Sequence, residues 1–188
     1  MIKLSLIARK RQIDELCMRN KNIKTMRRIC LLSLLLTIYI NVMAQNVRQS
    51  SAILTDETCE ILRNAAKEKS RKMNLDISFA IADADGLPRL FQRFGDALVL
   101  SATLVPAKAY TAAITQTPTE ELMKAVADNG DLMGINTCDS KLTLVPGGYP
   151  LFINGQIVGA IGVGGGTKEQ DCEIAEYIVA KLNELASE

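Results

Sequence analysis

Residues 146–171 read PGGYPLFINGQIVGAIGVGGGTKEQD, and this run restricts the fold more than any other part of the chain. Asn154-Gly155 lies between two apolar stretches. Both residues tolerate the positive φ of a type I′ turn, so the segment reads as a β-hairpin. Gly164, Gly165 and Gly166 follow the second strand, and Thr167-x-x-Gln170 has the spacing of a capping box that opens a helix. The glycine run thus joins a strand to a helix N-terminus, where free N–H groups and the helix dipole make a candidate anion site.

The first 44 residues read as export machinery. Residues 29–40 are an apolar run of about a dozen, preceded by Lys21, Lys24, Arg27 and Arg28 and followed by Val42-Met43-Ala44. A charged start, an apolar middle and a small-residue cleavage site read as a secretory signal peptide, with an uncleaved N-terminal anchor as the alternative. The run is shorter than the roughly 20 residues of a comfortable membrane span. We read Met18 as the translation start, Ala44 as the cleavage site, 45–54 as a linker and 55–188 as the domain.

The whole chain holds 22 basic and 21 acidic residues. Nine basic and two acidic ones lie in the first 44, which leaves 13 and 19, a net charge of −6. An acidic domain without a basic stripe argues against nucleic-acid binding. Of the cysteines beyond residue 44, Cys59 and Cys172 fall in helical patterns as small buried hydrophobes and Cys138 falls in a polar loop. Their spacing is not that of a zinc site. The chain has no histidine, which removes Ser-His-Asp and Cys-His catalysis.

Thr55 followed by Asp56 and Glu57 suits an N-cap, and Cys59, Leu62, Ala66 and Met73 give an amphipathic helix over 56–73. Ile77, Phe79 and Ile81 alternate as a strand, Asp83 to Gly86 turn, and Leu87 to Phe94 form a second strand. Residues 101–115 are alanine-rich and helical, with Pro106 opening the helix or sitting in its first turn. Pro118-Thr119-Glu120-Glu121 begins a short helix, and the polar stretch to Lys141 is a loop. Strands are expected at 142–145, 149–153 and 156–163, then a helix from Thr167 to about Ala186. Hairpins dominate, so the fold class is α+β, a five-stranded antiparallel sheet flanked by helices.

In 157–164 one strand face carries Ile157, Gly159, Ile161 and Val163, the other Val158, Ala160, Gly162 and Gly164. The second face shrinks toward its end, so either a flat ligand or a helix backbone approaches there. Lys108, the one lysine in its alanine-rich helix, either pairs with an anionic ligand group or serves as a surface or structural charge. Asp83 and Asp85 read as turn residues. The candidate ligand-binding set is Lys108, Pro146, Gly147, Gly148, Pro150, Gly162, Gly164, Gly165, Thr167 and Asp171, with no metal site and no catalytic residue.

Several segments together resemble the GlcG/HbpS family, which includes the C-terminal domain of PduO-type proteins. They are Ala82-Asp83 with Gly86, Ala107-Lys108-Ala109 with Thr111-Ala112, Pro118-Thr119, Pro146-Gly147-Gly148 with Pro150, Asn154-Gly155, the run from Gly159 to Gly165, and Gln170-Asp171. The resemblance spans roughly residues 52–186. It implies a profilin-like α+β domain, homo-oligomers and, for some members, haem. Histidine ligation is the form associated with the family, so iron here would need Cys59, Met73, Tyr110 or another substitute.

Together these readings describe an exported, periplasmic or extracellular, non-enzymatic module for a small ligand, haem or another tetrapyrrole. The alternatives are an enzyme or enzyme accessory acting on small organic acids or aldehydes, and a structural homo-oligomer.

Overall fold

The computed structural model describes residues 31–39, 54–127 and 130–187. Residues 31–39 are helical, with their apolar side chains exposed. Met18, the charged flank, the cleavage site at Ala44 and most of the 45–54 linker lie outside the described residues. Among the described residues no helix is long and apolar enough to cross a membrane.

Leu54, the first described residue of the folded unit, is buried in the core. Helix α1 (Asp56–Lys72) starts where Thr55 accepts a hydrogen bond from the Thr58 N–H at 3.2 Å. Asp56 and Glu57 lie at the positive end of its dipole, and Lys69, Arg71 and Lys72 at the negative end. Strands β1 (Ser78–Asp83) and β2 (Pro88–Arg93) form the first hairpin. Asp83 Oδ1 holds the turn by accepting from the Asp85 and Leu87 N–H groups.

Helix α2 (Ser101–Thr115) follows, and its first turn is tied to β1 by the buried Ser101 and Ser78 hydroxyls, 2.7 Å apart. Pro106 sits in its second turn, one turn deeper than the sequence reading placed it. After α3 (Thr119–Val126) the chain reaches β3 (Gly148–Ile153) and β4 (Gln156–Gly164). Asn154 (φ 51°) and Gly155 (φ 75°) supply the two positive φ angles of a type I′ turn between them. Helix α4 (Lys168–Ser187) closes the chain.

The sheet order is β2-β1-β4-β3, antiparallel throughout. It has four strands, not five. The expected strand at 142–145 is irregular and lies outside the sheet, because its N–H groups go elsewhere: Leu142 donates to the Asp139 carbonyl oxygen at 3.1 Å. Thr143 donates to Thr111 Oγ1 on α2 at 2.9 Å, and Val145 to Thr143 Oγ1.

The strand alternation decides the layers. Phe79, Ile81, Ile161 and Val163 face α1 and α4, where Leu62, Ile174, Ile178 and Leu182 complete the main core. The opposite face carries Ala80, Ala82, Ala160 and Gly162, and the alanine-rich α2 packs on it with Val105, Ala109, Ala112 and Ala113. Small residues on both sides let helix and sheet backbones approach closely. A Cβ on Gly162 would lie 2.2 Å from the Val105 carbonyl oxygen and 2.9 Å from the Ala109 nitrogen. The narrowing strand face therefore receives a helix, not a ligand.

Candidate functional site

Lys108 lies on the sheet-facing side of α2 and is 1% exposed. Its ammonium donates to the Val163 carbonyl oxygen at 2.7 Å and to Asp171 Oδ2 at 2.8 Å. Asp171 is 4% exposed, and its Oδ1 accepts from the Gly166 N–H at 3.0 Å. Burial pushes the Asp171 carboxyl above its ordinary range, while the Lys108 ammonium and the Gly166 N–H pull it back. The pair thus ties α2, the end of β4 and the first turn of α4 into one knot. Lys108 is a structural charge, and Asp171 does more than complement the helix dipole.

The glycines make room for this knot. Gly147 has φ 110°, and a Cβ there would meet the Val163 oxygen at 2.6 Å and Lys108 Nζ at 3.0 Å. Gly148 donates to Thr119 Oγ1 at 2.9 Å, with the Lys108 carbonyl oxygen against it. Gly164 faces Val105, and Gly165, at φ 143°, runs along the backbone of Asp76. Thr167 and Gln170 form the capping box, with the Thr167 N–H on Gln170 Oε1 and the Gln170 N–H on Thr167 Oγ1. The expected anion site is occupied from within, since side chains of α4 itself accept the Gly166 and Thr167 N–H groups.

A cleft of about 170 Å³ remains above the knot. It gathers Lys108, Pro146, Gly164, Gly165 and Asp171 from the sequence-based set, with Leu98, Leu100 and Leu104 at its wall. Pro150 and Gly162 lie away from it within the sheet, paired with Ala160 and with both Ala80 and Gly148. Gly147 and Gly148 lie beneath it, and Thr167 caps α4 at the surface.

A larger concavity, about 450 Å³, lies where α2 leaves β2 uncovered. Its accessible lining is mostly apolar, with Leu87, Pro88 and Phe91 exposed and Pro106, Ala107 and Tyr110 half-buried, while Ala80, Ala82 and Ala109 beneath are buried where α2 packs on the sheet. Ser140 and Lys141 stand at the rim. The Tyr110 hydroxyl donates to Asp139 Oδ2 at 2.6 Å, and the Lys141 ammonium sits 5.3 Å from the Tyr110 ring centroid. That hydrogen bond, then burial, raises the Tyr110 phenol above its ordinary range, and it lowers the Asp139 carboxyl. Lys141 makes no ion pair with a described residue. Sequence reasoning did not place a site here. The available signal was the alternation of Ala80 and Ala82 with Phe79 and Ile81, which marked a shallow face beside an edge strand.

The three cysteines beyond residue 44 are free. Cys59 and Cys172 are buried, and burial raises both thiols above their ordinary range, whereas Cys138 is exposed.

Fold and concavities define a small α+β domain with a helix-backed antiparallel sheet and an open apolar groove. A family model described as "Haem degrading protein HbpS-like" matches residues 54–180, and the chain belongs to that family. It is 34% identical over 141 residues to an uncharacterized 15.0 kDa protein of the dhaT-dhaS intergenic region of Citrobacter freundii. That match covers 74% of this chain and 99% of the relative. It is also 34% identical to the corrinoid adenosyltransferase PduO of Citrobacter freundii over 72% of this chain, but spans only 41% of that enzyme's length. Among solved structures, a PduOC:heme complex superposes with a TM-score of 0.65 at 34% identity, covering 68% of this chain and 93% of the other.

The haem implied by the family can be tested against these residues. Iron is held by His, Cys, Met or Tyr side chains. The chain has no histidine, and Cys59 belongs to the main core, with Met73 packed against it. In the groove the one residue of these types is Tyr110, whose proton is engaged with Asp139. The groove's lining does not fit axial ligation of iron.

Proposed function

We propose that the chain is an exported small-ligand-binding module, and that its ligand is a flat, apolar molecule with an anionic edge, of the tetrapyrrole class. The observation that carries the reading is the groove between α2 and the β1–β2 hairpin. Its volume of about 450 Å³ falls inside the roughly 300–1,000 Å³ typical of ligand pockets. Its lining matches such sites in kind, a mostly apolar surface with a few polar groups at one end. Tyr110 and Phe91 supply aromatic surface, and Lys141 offers a cation to a carboxylate. The haem complex of a 34%-identical relative supports the ligand class.

Haemin titrated into the protein should give a saturable change in its Soret band at about one equivalent per chain. Ala107→Trp, which fills the groove from the half-buried side of α2, should weaken binding about ten-fold or more, the loss of roughly 1.4 kcal/mol of contact. Saturable binding that Ala107→Trp leaves untouched would remove the groove from consideration.

The accompanying proposal concerns export. The charged, apolar and small-residue succession across residues 21–44 supports a precursor starting at Met18 and a mature chain starting at Gln45. Mass spectrometry of precursor and secreted protein checks both ends. Peptides from residues 1–17, or a secreted form that retains Leu31–Leu36, would oppose it.

A further inference from the structure

Resting on the groove as the ligand site, we infer that recognition is independent of metal: the chain holds a macrocycle by its face and its carboxylate, with no bond to a central ion. Two observations meet here. One is shape: the exposed Pro88 and Phe91 of β2 and the half-buried Pro106 and Ala107 of α2 line an open apolar groove, so a planar body can lie between hairpin and helix with Tyr110 as an aromatic neighbour. Contact over such a surface is non-directional and indifferent to what occupies the centre of the ring.

The other is the donor set. A ligand to iron must bring a lone pair, and the groove offers only the Tyr110 phenol among the usual types. That phenol would have to lose the proton it gives to Asp139 Oδ2, and the adjacent carboxylate opposes a second negative charge at that place. Lys141 has the opposite character. It brings a positive charge to the rim, is exposed, and makes no ion pair within 4 Å among the described residues, its nearer engagements being the Tyr110 ring and a weak pull on the Asp139 carboxyl. It is placed to meet the carboxylate of a planar anion, a feature shared by metal-bearing and metal-free tetrapyrroles.

The test compares haemin with metal-free protoporphyrin IX on the full chain, by fluorescence quenching and absorbance. The two dissociation constants should agree within about three-fold, since neither gains a coordination bond. Tyr110→Phe, which keeps the ring and removes the phenol, should move haemin and the metal-free ring alike, so that the ratio of their dissociation constants stays within the same margin. Lys141→Glu should weaken both ligands about five-fold, the scale of an exposed charge pair reversed. Lys141 is exposed, so the fold should survive the change, and the thermal unfolding of all variants is recorded alongside.

Haemin bound ten-fold or more tightly than the metal-free ring would overturn the inference while leaving the groove as a ligand site. If that preference also disappears in Tyr110→Phe, the phenol is the iron ligand. Saturable binding of neither compound would overturn the groove reading itself. Equal binding that Lys141→Glu does not alter would remove the carboxylate contact from the inference.

Discussion

Lys108→Met should cost the domain about 3–5 kcal/mol of stability, the usual result of removing one partner from a buried ion pair. Methionine keeps most of the chain's bulk, so packing around α2 changes little. What remains is an Asp171 carboxylate that is 4% exposed, with the Gly166 N–H as its one hydrogen-bond donor among the described residues. The Val163 carbonyl oxygen also loses its side-chain donor. In a domain of this size the midpoint of thermal unfolding should fall by about 10–20 °C.

The decisive comparison is the double variant Lys108→Met with Asp171→Leu. Two apolar groups can replace a buried pair at little net cost, so the double should recover much of what the single lost. Urea unfolding of the four forms gives the coupling energy. A Lys108→Met protein of unchanged stability that no longer binds its ligand would restore the lysine to a binding role, and the structural knot would have to be abandoned.

Gly162→Ala should destabilise by about 2–3 kcal/mol, the typical penalty of overpacking. Two effects compete. Glycine inside a strand is worse than alanine by roughly 0.5–1 kcal/mol on backbone entropy, and Gly162 does not have a positive φ, so the substitution would ordinarily help. Here the new methyl would stand 2.2 Å from the Val105 oxygen and 2.9 Å from the Ala109 nitrogen. Both are helix backbone and cannot rotate away as a side chain could. The clash therefore wins, and α2 must move outward as a body. A chemical denaturation midpoint equal to or above that of the parent protein would show that helix and sheet are less tightly apposed than described.

Much of this fold can be read along the chain because its cues are local. The Asn154-Gly155 turn, the Thr167–Gln170 capping box, the Thr55 cap and the alternation in β1 and β4 each depend on residues within a few positions of one another. The backbone preferences of asparagine, glycine and threonine are enough to place them. The fifth strand failed for the complementary reason. Residues 142–145 have strand-like composition, but Thr111, more than thirty positions away on α2, accepts the Thr143 N–H.

The site divides along the same line. Composition and order by themselves determined an α+β chain, a strand with one narrowing face, a solitary lysine in an alanine helix, and a glycine run leading into a capped helix. Tertiary structure alone decided which neighbours those features meet. The narrowing face met α2, and Lys108 met Asp171 across 63 positions. It also opened the groove, because α2 covers β1, β4 and β3 and leaves β2 largely bare. Pairing of distant groups and the incomplete cover of an edge strand are properties of packing in three dimensions, and no local propensity encodes them.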